Sequence, residues 1–509
     1  MDRLKRVIAV LAVPGVLACL SSHRTALVVG VPASVGDRAP NQAGDVTTAS
    51  VLGNIYETLV DVDPRLGLTP GLAESWYTPD DLTWVFKLRA GVRTHEGGTL
   101  SASDVVRSLE NARDDPASAH RAALREVRAV EATDPLTVVL RMRRPVDSMP
   151  ARLARVFVWS PPARGGPAVG TGRYRVRSWQ SGGDAVLEAF AAHRDGRPPI
   201  SQVSFQAFPD ASRATSRLLG GQLDVVVDPP AEQLMRLRDN PALRAVSLRG
   251  LHLLLLSFDS TRASTPYVAG GGNPFRDRRV RQAVALAIDR RALVQATFHG
   301  LAEVADQIAS PDELGGLTAG VGARPHDPEG ALRLLKEAGY ARGFAVRLDH
   351  AASPRLAAVA AAVAADLGRI GVRVEPRSAP DAELDGRIER RDTSFYLIDW
   401  SSGVGDARES YAALLHSATG PLGRENGGGY ASRPMDLLIE ASYGSEPPER
   451  RRSLYARLAA KVALDVPVVP LVRLDDSYVV ASGLEFSPRL DRLIRVADIR
   501  WTEDRRPVP

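Results

Sequence analysis

A single cysteine, Cys19, stands in 509 residues. That excludes a disulfide framework, a Cys-x-x-Cys zinc site and iron–sulfur ligation, each of which needs more than one thiol. Lysine is almost as scarce: the 65 basic residues include only Lys5, Lys87, Lys336 and Lys461, and the arginine excess reads as the imprint of a GC-rich genome, not as chemistry. None of the four lysines follows a glycine, so the Gly-Lys-Ser/Thr of a phosphate-binding loop is missing. There is no Gly-x-Ser-x-Gly nucleophile elbow, and His95-Glu96 lacks the second histidine of a zinc-protease helix. The nine histidines are scattered, which predicts neither a metal site nor a cofactor. The net charge of +5 arises from basic and acidic residues mixed along the whole chain, so no nucleic-acid partner is expected. Aromatic residues make up only 6%, too few for a heavily stacked sugar cleft. What remains, 44% hydrophobic and 25% charged, is an ordinary globular composition, and the length suggests about two to four domains.

The N-terminus is the most legible segment. Arg3, Lys5 and Arg6 precede Val7 to Ala18, a run without a charged or polar side chain that contains Pro14 and Gly15. A membrane-crossing helix needs about 20 apolar residues, so this run is too short and reads as the core of a secretory signal. Cys19 directly after Val16-Leu17-Ala18 resembles the lipobox of bacterial lipoproteins. The resemblance implies a signal peptide over 1–19 and acylation of Cys19; an incidental cysteine is the alternative. No later uncharged apolar stretch approaches 18 residues, so the mature body is expected to be soluble and attached to a membrane by a lipid anchor only.

Beyond the leader, Ala26 to Val31 reads as a buried strand and Val51 to Leu59 as a helix. Trp84, Phe86 and Leu88 alternate with Thr83, Val85 and Lys87, a strand period. Ser101 to Asp104 forms a capping box before Val105, Val106 and Leu109. With the strand Leu136 to Met142, these pieces predict a compact α+β unit. The glycine-rich passage Gly165 to Gly172 lacks the third glycine of a dinucleotide fingerprint. Leu251 to Leu256 is apolar at every position but His252, as in a strand buried on both faces. From Arg279 onward the pattern turns helical: Val280, Ala283, Val284, Ala287 and Ile288 share one face, and Asp289 and Asp327 stand as N-caps.

Three blocks, in order, resemble the solute-binding proteins of ABC importers, extracellular family 5, the peptide- and nickel-binding type. The first is Leu68-Thr69-Pro70-Gly71-Leu72-Ala73-Glu74-Ser75-Trp76 with Trp84 to Arg89 and Leu100 to Val106. The second is Gly170-Thr171-Gly172-Arg173-Tyr174 with Gly221 to Val225, and the third is Phe275 to Ala283 with Ala287 to Arg290, Asp327 to Glu329 and Glu337 to Tyr340. The resemblance implies an α/β two-lobed clamp of the periplasmic-binding-protein kind, type II-like, with an extra inserted α+β domain. Lobe 1 is then 26–48, 163–266 and 485–509, the inserted domain 49–162, and lobe 2 267–484. The chain is expected to cross between lobes near Pro266 to Pro274 and again near Val469 to Leu484.

The implied function is a monomeric, non-enzymatic receptor, without cofactor or metal, at the outer face of the cytoplasmic membrane or in the periplasm. It would deliver a small peptide or peptide-like solute to an ABC permease and ATPase complex. An oligosaccharide, a metal chelate or an opine are alternatives in the same clamp; a cell-envelope accessory protein or an exported hydrolase are alternatives of other classes. In peptide-binding members a strand ending in Gly-Trp leads within three residues to an aspartate that pairs with the peptide ammonium. Here the strand ends in Asp399-Trp400, Gly403 holds that third position, and Asp406 follows in a longer loop. Trp400 is therefore expected to wall the cleft beside Gly403. Asp406 is expected either to receive an ammonium or to cap a helix starting near Ala407, and Asp45 and Val46 to offer backbone contacts. The family's aromatic pair after the first domain's strand is replaced by Ala191-Ala192-His193.

Overall fold

Two long antiparallel strands, Leu243–Phe258 and Val468–Ala481, form the spine of the molecule. The computed structural model describes residues 26–502 except 44, 147, 163–165, 238, 312, 315–324, 402–404, 418–421 and 444–447, so Cys19 and Gly403 lie outside the described residues. On one side of the spine the sheet continues through Val225–Val227, Ala26–Val31, Gln202–Ala207, Ala185–Ala189 and Tyr174–Trp179. On the other side it continues through Phe395–Trp400, Phe344–Ala351 and Val372–Ala379. The register of the two spine strands shifts between Arg249 and Leu253, where the two half-sheets meet.

The apolar run of the first spine strand is explained by what covers it. Leu254 and Leu256 point into a core with Val280, Val284, Val359 and Val363 of the helices Arg278–Ala287 and Pro354–Arg369. Leu253 and Leu255 point the opposite way, into a core with Tyr411, Leu415, Ile439 and Leu458 from Ala407–Leu415, Arg433–Ala441 and Pro448–Asp465. Successive strand residues face opposite sides, so a strand clothed by helices on both must be apolar at every position.

The segment after the first helix is built separately. Ala73–Asp80, Thr83–Leu88, Thr137–Met142 and Val127–Asp134 make an antiparallel sheet, and the helix Ala102–Asp114 lays Val105 and Leu109 into the same core as Phe86, Val138 and Leu140. The expected capping box is formed: the Ser101 N–H donates to Asp104 Oδ2 at 3.0 Å, and the Asp104 N–H to Ser101 Oγ at 3.4 Å. The glycines of the Gly170-Thr171-Gly172 passage serve packing, because a Cβ on Gly172 would stand 2.6 Å from the carbonyl oxygens of Asn54 and Ile55.

One expectation changes. The first helix is Val46–Ile55, not Val51 to Leu59. Asp45 Oδ1 accepts from the Thr48 N–H at 2.8 Å and fixes an earlier start, and Tyr56 is already extended. The segment Pro266 to Pro274, where the chain is expected to cross between lobes, follows the strand Leu243–Phe258. That later segment is fastened to the second half-sheet: Val268 bridges Val346, and the Asn273 amide donates to the Asp259 and Arg262 carbonyls, both at 2.9 Å.

Candidate functional site

Between the inserted sheet, the first half-sheet and the second lie two adjoining chambers of about 350 and 250 Å³ that share Ala43, His120, Arg155 and Ser401. Each wall has a local cause. The Asp45 cap aims the start of its helix, and with it Val46, at the smaller chamber. The short helix Met149–Leu153 ends at Ala154, so Arg155 leaves it towards both chambers. The strand Phe395–Trp400 delivers Trp400 and Ser401 to the larger one. The smaller chamber has an apolar part to its wall, made by Val46, Leu66, Phe157, Leu490 and Leu493.

Most charges along these walls are paired. Glu126 meets Arg144 at 3.1 Å and Arg125 at 3.5 Å. Arg152 meets Glu409 at 3.1 Å, Arg424 meets Glu425 at 2.9 Å, and Arg495 meets Asp61 at 2.6 Å. Asp491 is held by Arg489 at 2.9 Å. Arg492 reaches Asp476 at 2.9 Å and donates to His252 Nε2 at 2.9 Å, while His252 Nδ1 lies 2.8 Å from Asp399. Burial alone would raise the Asp399 pKa; the hydrogen bond from His252 and the Arg355 and Arg492 charges outweigh it and hold it below the usual carboxylate range.

Two wall charges have no opposite partner among the described residues: Arg155 and Asp45. Arg155 is exposed to both chambers; the protein around it and the Arg424 charge weaken its hold on its proton, with Asp491 opposing them. Beside it, burial and the Arg155 charge push the His120 pKa down to about 4, so its imidazole is neutral.

Of the residues singled out from the sequence, Trp400, Asp45 and Val46 are on the chamber walls. Trp400 donates its indole N–H to Glu425. Asp406 lines neither chamber, and the capping alternative describes its position. Its Oδ1 accepts from the Arg408 N–H and the Tyr455 hydroxyl, both at 2.9 Å, and Oδ2 accepts from Arg408 Nε at 2.9 Å. Burial would raise its pKa, but the Arg408 hydrogen bonds and charge hold it below the ordinary value. Arg155 and His120 carry no sequence signal: one is an arginine among many, the other a lone histidine after a turn.

No group of three or more metal-ligating side chains occurs among the described residues, nor is any helix among them long and apolar enough to cross a membrane. Residues 67–421 match the profile of the bacterial extracellular solute-binding proteins, family 5 Middle. The chain is 26% identical over 465 residues to the glutathione-binding protein GsiB of Salmonella typhimurium, covering 88% of each. Its structure is similar to that of DppA from Helicobacter pylori in complex with the peptide STSA, with a TM-score of 0.79 and 21% identity over 94% of this chain and 98% of that one. It is similar too to AgaA in complex with agropinic acid from A. tumefacien R10, with a TM-score of 0.78 and 23% identity over 94% and 99%.

Proposed function

Because the chain belongs to the bacterial extracellular solute-binding proteins of family 5, we propose that it captures a peptide-like solute between two lobes and hands it to an ABC permease and ATPase complex. The observation that carries the reading is the pair of confluent chambers, walled by three separately cored units and closed by contacts across them. Solutes in relatives support it: glutathione for GsiB, the peptide STSA for DppA and agropinic acid for AgaA are all small carboxylated molecules. Enclosure between lobes gives affinity without a reacting group, so the protein acts as a receptor and not as an enzyme. The lobes part near Gly250 and again near Arg473 to Asp475, with the inserted unit as a third body. Trp400, Asp45 and Val46 are ligand-facing, Cys19 carries the lipid anchor, and the protein works as a monomer. Mass spectrometry of solute released from the purified protein tests the reading: it expects a peptide or a close analogue, and a sugar or a lipid would end it.

A further inference from the structure

Along the cleft the other charged side chains have ion-pair partners within the protein, Arg125 and Arg144 sharing Glu126, whereas Arg155 and Asp45, on the wall of the same chamber, have none among the described residues. Arg155 stands exposed on the wall of both chambers with no ion pair to a carboxylate among the described residues, so its guanidinium is free to take an anion that enters. A guanidinium also grips a carboxylate through two parallel hydrogen bonds, which lysine cannot reproduce. We propose that Arg155 receives the ligand's carboxylate and Asp45 its ammonium, so that the cargo is a zwitterion whose apolar body lies against Val46, Leu66, Phe157 and Leu493. This assignment rests on the peptide-like reading above and narrows it. Asp45 takes the place that the sequence offered to Asp406, which its own helix and Tyr455 already occupy. Asp45 spends one oxygen on the Thr48 N–H, and its other oxygen accepts no hydrogen bond among the described residues. The neutral His120 adds no second positive charge to the Arg155 site.

The probe is an equimolar tripeptide mixture in three forms: unmodified, N-acetylated and C-amidated. Each is incubated with the full chain stripped of co-purified solute, and the retained peptides are quantified by mass spectrometry. The wild type is expected to retain the unmodified mixture at least about 30-fold better than either blocked form. Arg155→Gln should lose that advantage over the amidated form, and Asp45→Asn, which keeps the cap acceptor, over the acetylated form. Thermal midpoints of the stripped variants should match the wild type. Equal retention of free and amidated peptides by the wild type overturns the role of Arg155, and of free and acetylated peptides that of Asp45. Because these two comparisons need no variant, they decide even if a substitution impairs folding. Failure of the wild type to retain any form overturns the peptide-like reading and this assignment with it.

Discussion

Asp406 shows how much one carboxylate can be asked to do. It caps the helix Ala407–Leu415, ion-pairs with the buried Arg408 and accepts from Tyr455. Asp406→Ala should therefore cost about 2–4 kcal/mol of stability, the sum of a lost cap and a broken, mostly buried pair. Denaturant unfolding checks this; an unchanged midpoint would remove the structural role. The sign with pH follows from its lowered pKa. Its contribution is complete above the unfolded carboxylate value near ~4 and is lost as pH falls through the lower folded value. The Ser101, Asp289 and Asp327 caps were legible because a cap signal is local, a short polar side chain just before an apolar period. Arg155 was not, because what sets it apart is the absence of a partner, and partners come from elements far away in the chain.

At the scale of elements, the spine strand Val468–Ala481 carries a buried acid, Asp476, whose pKa is pushed up to about 6 by burial, with Arg492 and His252 opposing. A carboxyl that holds its proton more tightly when folded than when unfolded makes stability fall as pH rises between the two values. The thermal midpoint should thus decline from about pH 4 to 6 in the part owed to this group. Asp476→Asn should flatten that part of the curve; an identical slope in the variant would assign the titration elsewhere. The strand at Leu251 to Leu256 was readable because its alternate faces meet two helical cores. Its partner was not, since a strand period says nothing of which strand lies alongside. The Pro- and Gly-rich segment 266–274 looks like a linker in sequence, yet Val268 bridges Val346 of the second half-sheet and the Asn273 amide ties the segment to the loop carbonyls of Asp259 and Arg262.

Across the whole molecule, two approaches among the described residues bring the inserted unit against the helix Ala407–Leu415 and the residues just before it. Arg152 of the inserted unit meets Glu409 on the helix Ala407–Leu415, and Leu66 lies where a Cβ on Gly405 would be, 2.6 Å from its Cδ1. Gly405 has φ +63°, a backbone region that other residues enter at a cost. Glu409→Gln should shift the ligand-free population towards an open form. Small-angle scattering would then show a larger radius of gyration, and affinity for the retained peptides would fall about 5-fold for a contact worth about 1 kcal/mol. A scattering curve and affinity equal to the wild type would mean that the pair does not bias closure. The two-lobed fold itself was legible because its family blocks lie along most of the chain, whereas closure depends on pairs that no single block contains.

The place of Val468–Ala481 in the sheet has one more consequence. It lies between Val225–Val227 and Leu243–Phe258, partners that precede it by nearly half the chain. A polypeptide emerging N-terminus first, from a ribosome or a secretion channel, has both neighbours of this strand in hand long before the strand itself. Non-local pairings of this kind form late and slowly. Until its tail arrives, the chain has an unfilled slot at the centre of its main sheet, and that sheet stays open to a holding chaperone even where the inserted unit, with its own core, can already close.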